Sequence, residues 1–254
     1  MNGDTISVCM ITLNEEARIG RALQSVQWAD EIVVVDGGSR DATARIAESM
    51  GARVEVRPWP GDFAVQLRHA LAAARCTWVF RLDSDEVVTK ELAAQAREAV
   101  SRPGGPNGYR VRRKNHFLGK WIRHGGWWPD PQIRLVRRDQ ATVRGGPVHE
   151  SLSVPGPLVD LTGALEHDTH PTIESSLDRL VRYSRLLAPD RARRRRIGAF
   201  HLLAHPAAAF FRKYVVQSGW RDGVHGLLIA VIHAMVKFAV YAQAWEIQQR
   251  ERGR

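Results

Sequence analysis

The sequence predicts an α/β fold, a mainly parallel sheet with flanking helices, followed by a C-terminal region that is helical throughout. Three observations predict it. Four strand-then-helix units follow one another in the first hundred residues, and such units demand parallel strands joined by crossover helices. The strand segments are too continuously apolar for a sheet with one solvated face. Three of the four strands also end in polar or acidic loops, which parallel topology places on one rim, where open α/β sheets bind their ligands.

The first unit is the apolar run Ile6-Ser7-Val8-Cys9-Met10-Ile11, the polar loop Thr12-Leu13-Asn14-Glu15-Glu16 and helical spacing at Ile19, Leu23 and Val26. The second strand, Glu31-Ile32-Val33-Val34-Val35, ends at Asp36-Gly37-Gly38-Ser39-Arg40-Asp41. Gly37 and Gly38 permit a tight turn and close approach to a ligand, and Asp41 can cap the helix that runs to Met50. A cap and a turn account for everything there except Asp36. A third strand spans Arg53 to Val56, a third helix Asp62 to Arg75, and a fourth strand Thr77 to Leu82. Asn14 with Glu15, then Asp36, then Asp83 with Asp85 therefore share one rim.

The stretch around which the chain is organised is Phe80-Arg81-Leu82-Asp83-Ser84-Asp85-Glu86-Val87. Its acids begin where a short, aromatic, branched strand should end. An Asp-x-Asp pair at that place, Asp83 and Asp85, can hold a hard divalent cation while water and a substrate diphosphate fill the other positions. A plainer role for Asp85 and Glu86 is to favour the start of the helix from Thr89 to Val100 through its dipole.

Composition narrows the partners. A chain of 254 residues can bury the core of one large α/β domain with an appendage. Its 37 Lys and Arg against 27 Asp and Glu give +10, which calls for an anionic partner: a nucleotide, a phosphorylated glycan, a nucleic acid or anionic lipid. Cys9 and Cys76 lie in apolar strand-like settings without metal-type spacing, so neither a disulfide framework nor a zinc site is expected and a reducing cytosol fits best. The segment Met1-Asn2-Gly3-Asp4 opens no secretory signal, so the protein is expected to start inside the cell.

Taken together and in this order, Ile11-Thr12-Leu13-Asn14-Glu15-Glu16, Val35-Asp36-Gly37-Gly38-Ser39-Arg40-Asp41 and Leu82-Asp83-Ser84-Asp85-Glu86 resemble the inverting family 2 glycosyltransferases with a GT-A fold. Asn115-His116-Phe117-Leu118-Gly119-Lys120-Trp121-Ile122-Arg123-His124-Gly125-Gly126-Trp127-Trp128-Pro129-Asp130, with Val148-His149-Glu150, resembles their lipopolysaccharide core glucosyltransferase subgroup. The resemblance implies that Thr12, Asn14, Glu15 and Asp36 bind the nucleotide of a sugar donor. It implies that Asp83 faces the ribose or the metal, and that Asp85 is the main ligand of a Mg²⁺ or Mn²⁺ ion. The subgroup's Gln-basic-Asn in the third helix stands here as Gln66-Leu67-Arg68, a departure, with Arg68 as the remaining donor-binding candidate. The implied organisation is a GT-A domain over 1–170, with a nucleotide-sugar half at 1–101 and an acceptor half at 102–170, and a helical region over 171–254.

Residues 110–144 carry ten Lys and Arg against two acids, interleaved with Trp121, Trp127 and Trp128. Aromatic faces suit sugar rings and basic groups suit phosphates, so Trp127, Trp128, Arg123 and His124 are the acceptor-binding candidates. The same mixture suits single-stranded nucleic acid, and makes a basic nucleic-acid-binding protein the alternative outside enzymology. A basic hairpin with the tryptophans packed beneath it would need neither. An inverting transfer needs a base for the acceptor hydroxyl. Glu150 is the first candidate and Asp130 the second; Glu150 could equally be a strand-end acid paired to an arginine, and Asp130 could hold the acceptor. His149 suits a metal, a phosphate or a structural hydrogen bond. A nucleotidyltransferase would carry a glycine-rich loop where this chain has Leu13-Asn14-Glu15-Glu16.

After Thr172 the pattern turns helical, with Ile173, Leu177, Leu180, Val181 and Leu187 at amphipathic spacing. Arg191-Ala192-Arg193-Arg194-Arg195-Arg196 follows, then Phe200, Leu202, Leu203, Phe210 and Phe211, and then the apolar run Gly226 to Trp245. That run approaches the length of a membrane span, but Lys237 near its middle is costly in lipid. Helices lying on the cytoplasmic leaflet fit better, with the arginines and the tail Arg250, Arg252 and Arg254 facing anionic headgroups. A soluble helical subdomain is the other reading. The sequence thus predicts a cytoplasmic, membrane-peripheral protein, and the resemblance implies that it is a metal-dependent inverting transferase that moves a hexose, glucose from UDP-glucose, onto a lipopolysaccharide inner-core sugar, with a polyprenyl-phosphate or other lipid-linked acceptor as the alternative.

Overall fold

A computed structural model describes residues 4–145 and 150–253. Gly146, Pro147, Val148 and His149, with Met1 to Gly3 and Arg254, lie outside the described residues. The chain forms two compact units, one of residues 1–113 and 131–167, the other of 114–130 and 168–254.

In the first unit the strands and helices alternate as β1 (Ile6–Thr12), α1 (Ile19–Gln24), β2 (Glu31–Asp36), α2 (Thr43–Ser49), β3 (Arg53–Val56), α3 (Phe63–Ala73) and β4 (Trp78–Arg81). A short strand β5 (Glu86–Val88) and helix α4 (Lys90–Val100) follow. β6 (Gly108–Phe117) leads through the two-residue β7 (Lys120–Trp121) to β8 (Pro131–Arg137), β9 (Thr142–Arg144), β10 (Ser151–Ser153) and the long β11 (Leu158–His170). Among the described residues these strands make a nine-stranded sheet in the order β3-β2-β1-β4-β8-β6-β11-β5, with β7 on β6, and a separate β9–β10 pair. β3, β2, β1 and β4 are mutually parallel, and β8, β6 and β5 join by antiparallel pairing.

The apolar strands are continuous because both faces are covered. Ile6, Val8, Met10, Val34, Trp78 and Phe80 point to one face, where α1, α2 and α4 supply Ile19, Leu23, Ala47, Leu92 and Ala96. The intervening Cys9, Val33, Val35 and Val79 point to the other, where α3 supplies Leu67, Ala70 and Leu71. Burial pushes the Cys9 thiol far above its usual range, so it stays a protonated core group. Asp62 caps α3 by accepting from the Ala64 and Val65 N–H groups, and Thr89 caps α4 through Leu92 N. Glu86 stands in β5 with its side chain fully buried, so it does not serve the α4 N-terminus as the plainer sequence reading allowed.

The second unit contains the 114–130 segment and three helices: α5 (Ile173–Arg194), α6 (Ala199–Phe211) and α7 (Val224–Arg252). Thr172 and Ser175 close a capping box on α5. Phe117 and Ile122 pack with Ile229 of α7, and Ala188 of α5 packs with Tyr241 and Ala244 of α7. The start of α7 is held at close range. A Cβ on Gly226 would stand 1.8 Å from the carbonyl oxygen of Gly219, a backbone atom that no rotamer change can move. Gly226→Ala should therefore destabilise the protein by about 2 kcal/mol or more, measured as a lowered midpoint in chemical denaturation.

Candidate active site

The C-terminal ends of β1, β2 and β4 form one edge, and the chain passes from β1 to β2 and β3 on one side before returning to β4 on the other. That reversal makes the β1–β4 edge the topological switch point of the sheet, the place where such sheets bind ligands. Thr12 and Asp36 are register partners at this edge, and Gly37 N–H donates to Thr12 O at 2.8 Å. The two loops are laced together beyond it. Asn14 N–H donates to Ser39 Oγ at 2.8 Å, Arg40 N–H to Asn14 Oδ1 at 2.9 Å, and Glu15 N–H to Thr43 Oγ1 at 2.7 Å. Asn14 takes φ 55, a left-handed conformation that its amide bond to Arg40 supports.

Asp36 is only 1% exposed. Its carboxylate accepts from Gly38 N at 3.0 Å and Ser39 N at 2.8 Å, so the acid that a cap-and-turn account left over shapes the glycine turn itself. The Thr12 hydroxyl is buried at the end of β1 with no hydrogen-bond partner among the described residues. In the third helix, Gln66 is buried and its amide donates to Arg57 O at 2.8 Å, while Arg68 is exposed.

At the end of β4 the fold assembles a charged network. Arg134 Nη2 donates to Asp83 at 2.8 Å and also to Glu86. Arg113 pairs with Glu86 at 3.5 Å, and Asp83 N–H donates to Glu86 Oε2 at 3.1 Å. Arg81 pairs with Asp83 at 3.4 Å and with Glu150. His167 Nε2 stands 3.4 Å from Asp85 Oδ2. Burial works against ionisation of Asp83, but the Arg134 and Arg81 guanidiniums outweigh it and hold its carboxyl well below the usual carboxylate range. Burial pushes Glu86 up, and the same carboxylates raise Arg134 against its own desolvation. Arg134 has a side chain only 3% exposed, so its charge is tolerable only with both acids in place.

The structure thus joins Asp83 and Glu150 through Arg81, while Asp85 pairs with His167, the register partner of Glu86. Glu150 takes the arginine pairing that the sequence left open for it. His149 and the Gly145-Gly146-Pro147 turn, apart from Gly145, lie outside the described residues. Asp130, Trp127, Trp128, Arg123 and His124 belong to the second unit. There Asn115 Nδ2 donates to Asp130 at 3.0 Å and to Trp127 O at 2.9 Å. The Asp222 carboxylate accepts from His124 N at 2.8 Å and lies 3.3 Å from His124 Nδ1, so the imidazole is held from behind. Trp121 is flanked by the Arg123 guanidinium at 4.2 Å and by Trp128 edge-on at 5.2 Å, and Trp127 packs edge-on against Phe117 at 6.1 Å. All three tryptophans stay partly exposed.

Sequence reasoning missed Arg81, Arg113, Arg134, Glu86 and His167. Two of them left a signal. Arg81 interrupts Val79-Phe80 and Leu82, and Arg134 sits between Ile133 and Leu135; an arginine inside a buried strand needs acids opposite it.

The model of the family described as Glycosyl transferase family 2 matches residues 7–152. The lipopolysaccharide core biosynthesis glycosyltransferase LpsC of Rhizobium meliloti (strain 1021) is 29% identical over 249 residues, covering 95% of this chain and 92% of that protein. A glycosyltransferase of Rickettsia typhi (strain ATCC VR-144 / Wilmington), RT0209, is 26% identical and covers 97% of this chain and 89% of its own. Among solved structures, S. aureus TarS 1-349 in complex with UDP aligns with a TM-score of 0.50 at 15% identity, over 97% of this chain and 92% of that one.

The network predicts its own fragility. Arg134→Met leaves Glu86 buried without its main partner and should cost about 3 kcal/mol of unfolding free energy, and adding Glu86→Gln should recover part of that loss.

Proposed function

The chain belongs to glycosyl transferase family 2, and on that premise we propose that it transfers a hexose, glucose from UDP-glucose, to a lipopolysaccharide inner-core sugar or another lipid-linked glycan. The observation that carries the reading is the Arg81 bridge. It joins Asp83, just past the end of β4, to Glu150, a carboxylate 69 residues beyond Arg81. The similarity to LpsC over nearly the whole of both chains supports the acceptor class.

The donor's nucleotide lies on the laced loops that carry Thr12, Asn14, Glu15 and Asp36, where the buried Thr12 hydroxyl is a polar group awaiting a partner. Asp85 and Asp83 would hold the Mg²⁺ or Mn²⁺ ion. Among the described residues no cluster of three His, Cys, Asp or Glu forms a metal cage, but a cation that the donor diphosphate also ligates needs only one or two carboxylates. When bound, it would neutralise charge on the departing diphosphate. The acceptor hydroxyl oxygen attacks the anomeric carbon opposite that group; the bond from carbon to the phosphate oxygen breaks, and the nucleoside diphosphate leaves with the electron pair. Glu150 takes the hydroxyl proton. Asp130, steadied by Asn115, holds the acceptor with Trp127, Trp128, Arg123 and His124.

Calorimetric titration with UDP-glucose and Mn²⁺ tests the donor site. Wild type should bind, chelator should abolish binding, and Asp85→Asn should weaken it by about tenfold or more with its circular dichroism unchanged; absence of binding to any nucleotide sugar by folded wild type would refute the reading. Glu150→Gln should lower kcat by about a hundredfold or more while the donor KM stays within a few-fold. Donor binding lost together with turnover would remove Glu150 from the base role.

A further inference from the structure

The charge excess is confined to one end of the chain. Residues 171–254 carry 15 Lys and Arg against 6 Asp and Glu, so they hold nine of the ten net positive charges. The same region exposes its large apolar side chains: Phe200 is 75% exposed, Leu203 73%, Phe211 57% and Phe238 50%. Only 28% of the most apolar stretch of α7 is buried, whereas the core helix of a soluble protein is mostly covered.

The seam between α6 and α7 sorts these properties into two grooves. One stripe from each helix, with Leu203, Pro206 and Phe210 on α6 and Met235 and Phe238 on α7, lines an apolar groove of about 680 Å³. A second stripe from each, with His205 on α6, Arg212 and Lys213 just beyond it, and His233, Lys237 and Tyr241 on α7, lines a second groove of about 470 Å³. Among the described residues no Asp or Glu lines that second groove. Its floor is an aromatic stack, His205 on Tyr241 with centroids 4.3 Å apart and planes 3° from parallel, and Arg191 lies over the same tyrosine at 5.4 Å. Burial, and then the cations of Lys213, Lys237 and Arg212, push the His233 imidazole down to about 4. The groove concentrates positive charge that calls for an external anion.

We propose that the α6–α7 pair docks in the plane of an anionic bilayer, with lipid phosphates in the basic groove and acyl chains against the apolar one. Charge complementarity selects this occupant. An amphiphile with an anionic head and a hydrocarbon tail matches both grooves at once, whereas a second copy of this chain would set +9 against +9. The orientation is in-plane because Lys237, Lys213 and Arg212 line one groove of the seam, and a cation at the bilayer centre is costly. The proposal stands independently of the transferase reading.

The test is co-sedimentation of the full chain with vesicles of phosphatidylcholine alone and with vesicles containing about one-third phosphatidylglycerol. Binding should need the anionic lipid and weaken with salt. Arg212→Glu with Lys237→Glu should lower the partition coefficient by on the order of tenfold or more, and Leu203→Glu with Phe238→Glu should do the same. Hydrogen exchange on wild type keeps the test decisive should either variant misfold: anionic vesicles should slow exchange in residues 199–252 and leave β1 to β4 unchanged. The proposal is overturned by equal binding to both vesicle types, by absence of binding, by full binding of both folded variants or by displacement with inorganic phosphate alone. It is overturned equally by a wild-type dimer that Leu203→Glu with Phe238→Glu dissociates.

Discussion

Arg134 is the side chain around which the charged network of the first unit is assembled. It reaches from an antiparallel strand into the end of the parallel half of the sheet and meets Asp83 and Glu86 there. A buried guanidinium of this kind adds little net stability over an apolar core, since desolvation offsets most of the attraction. Its effect is on position and charge. With Arg134 and Arg81 beside it, the Asp83 carboxyl is held well below the usual carboxylate range, and the backbone of the acidic stretch is tied to Glu86 through the Asp83 N–H.

The rest of the rim is arranged so that this stretch faces prepared loops. Asp36 bonds its own glycine turn, and Asn14, Glu15 and Ser39 connect the first two strand-end loops through backbone and side-chain hydrogen bonds. Such loops are ordered before a ligand arrives, so less conformational freedom is lost on binding. Asp36 is thereby spent on its own turn rather than left as a free carboxylate. In the second unit, Asp222 plays a comparable part, gathering the His124 backbone and imidazole at one buried carboxylate.

Much of this was legible in sequence. The four strand-helix units, the acidic strand ends and the change to helical spacing after Thr172 all follow from side-chain periodicity and turn chemistry, which are local. The same local signals placed Asp83, Asp85 and Asp36 on one rim. They could not show how Asp36 spends its oxygens, because an acid before Gly-Gly reads alike whether it closes the turn or faces a ligand. Nor could they show that Glu86 enters a strand rather than serving α4, since its partners lie far along the chain.

By itself, then, the sequence determined the alternation of elements, the rim on which the acids fall and the concentration of basic and apolar residues in the last third of the chain. Those features depend on residues within a few positions of one another. Only the tertiary structure decided which acids are partnered and by what. Arg134 meets Glu86 across 48 residues and Arg81 meets Glu150 across 69, and no periodicity encodes such a meeting. It also decided that the α6 and α7 stripes sort into an apolar and a basic groove, because that sorting requires two helices side by side in one register.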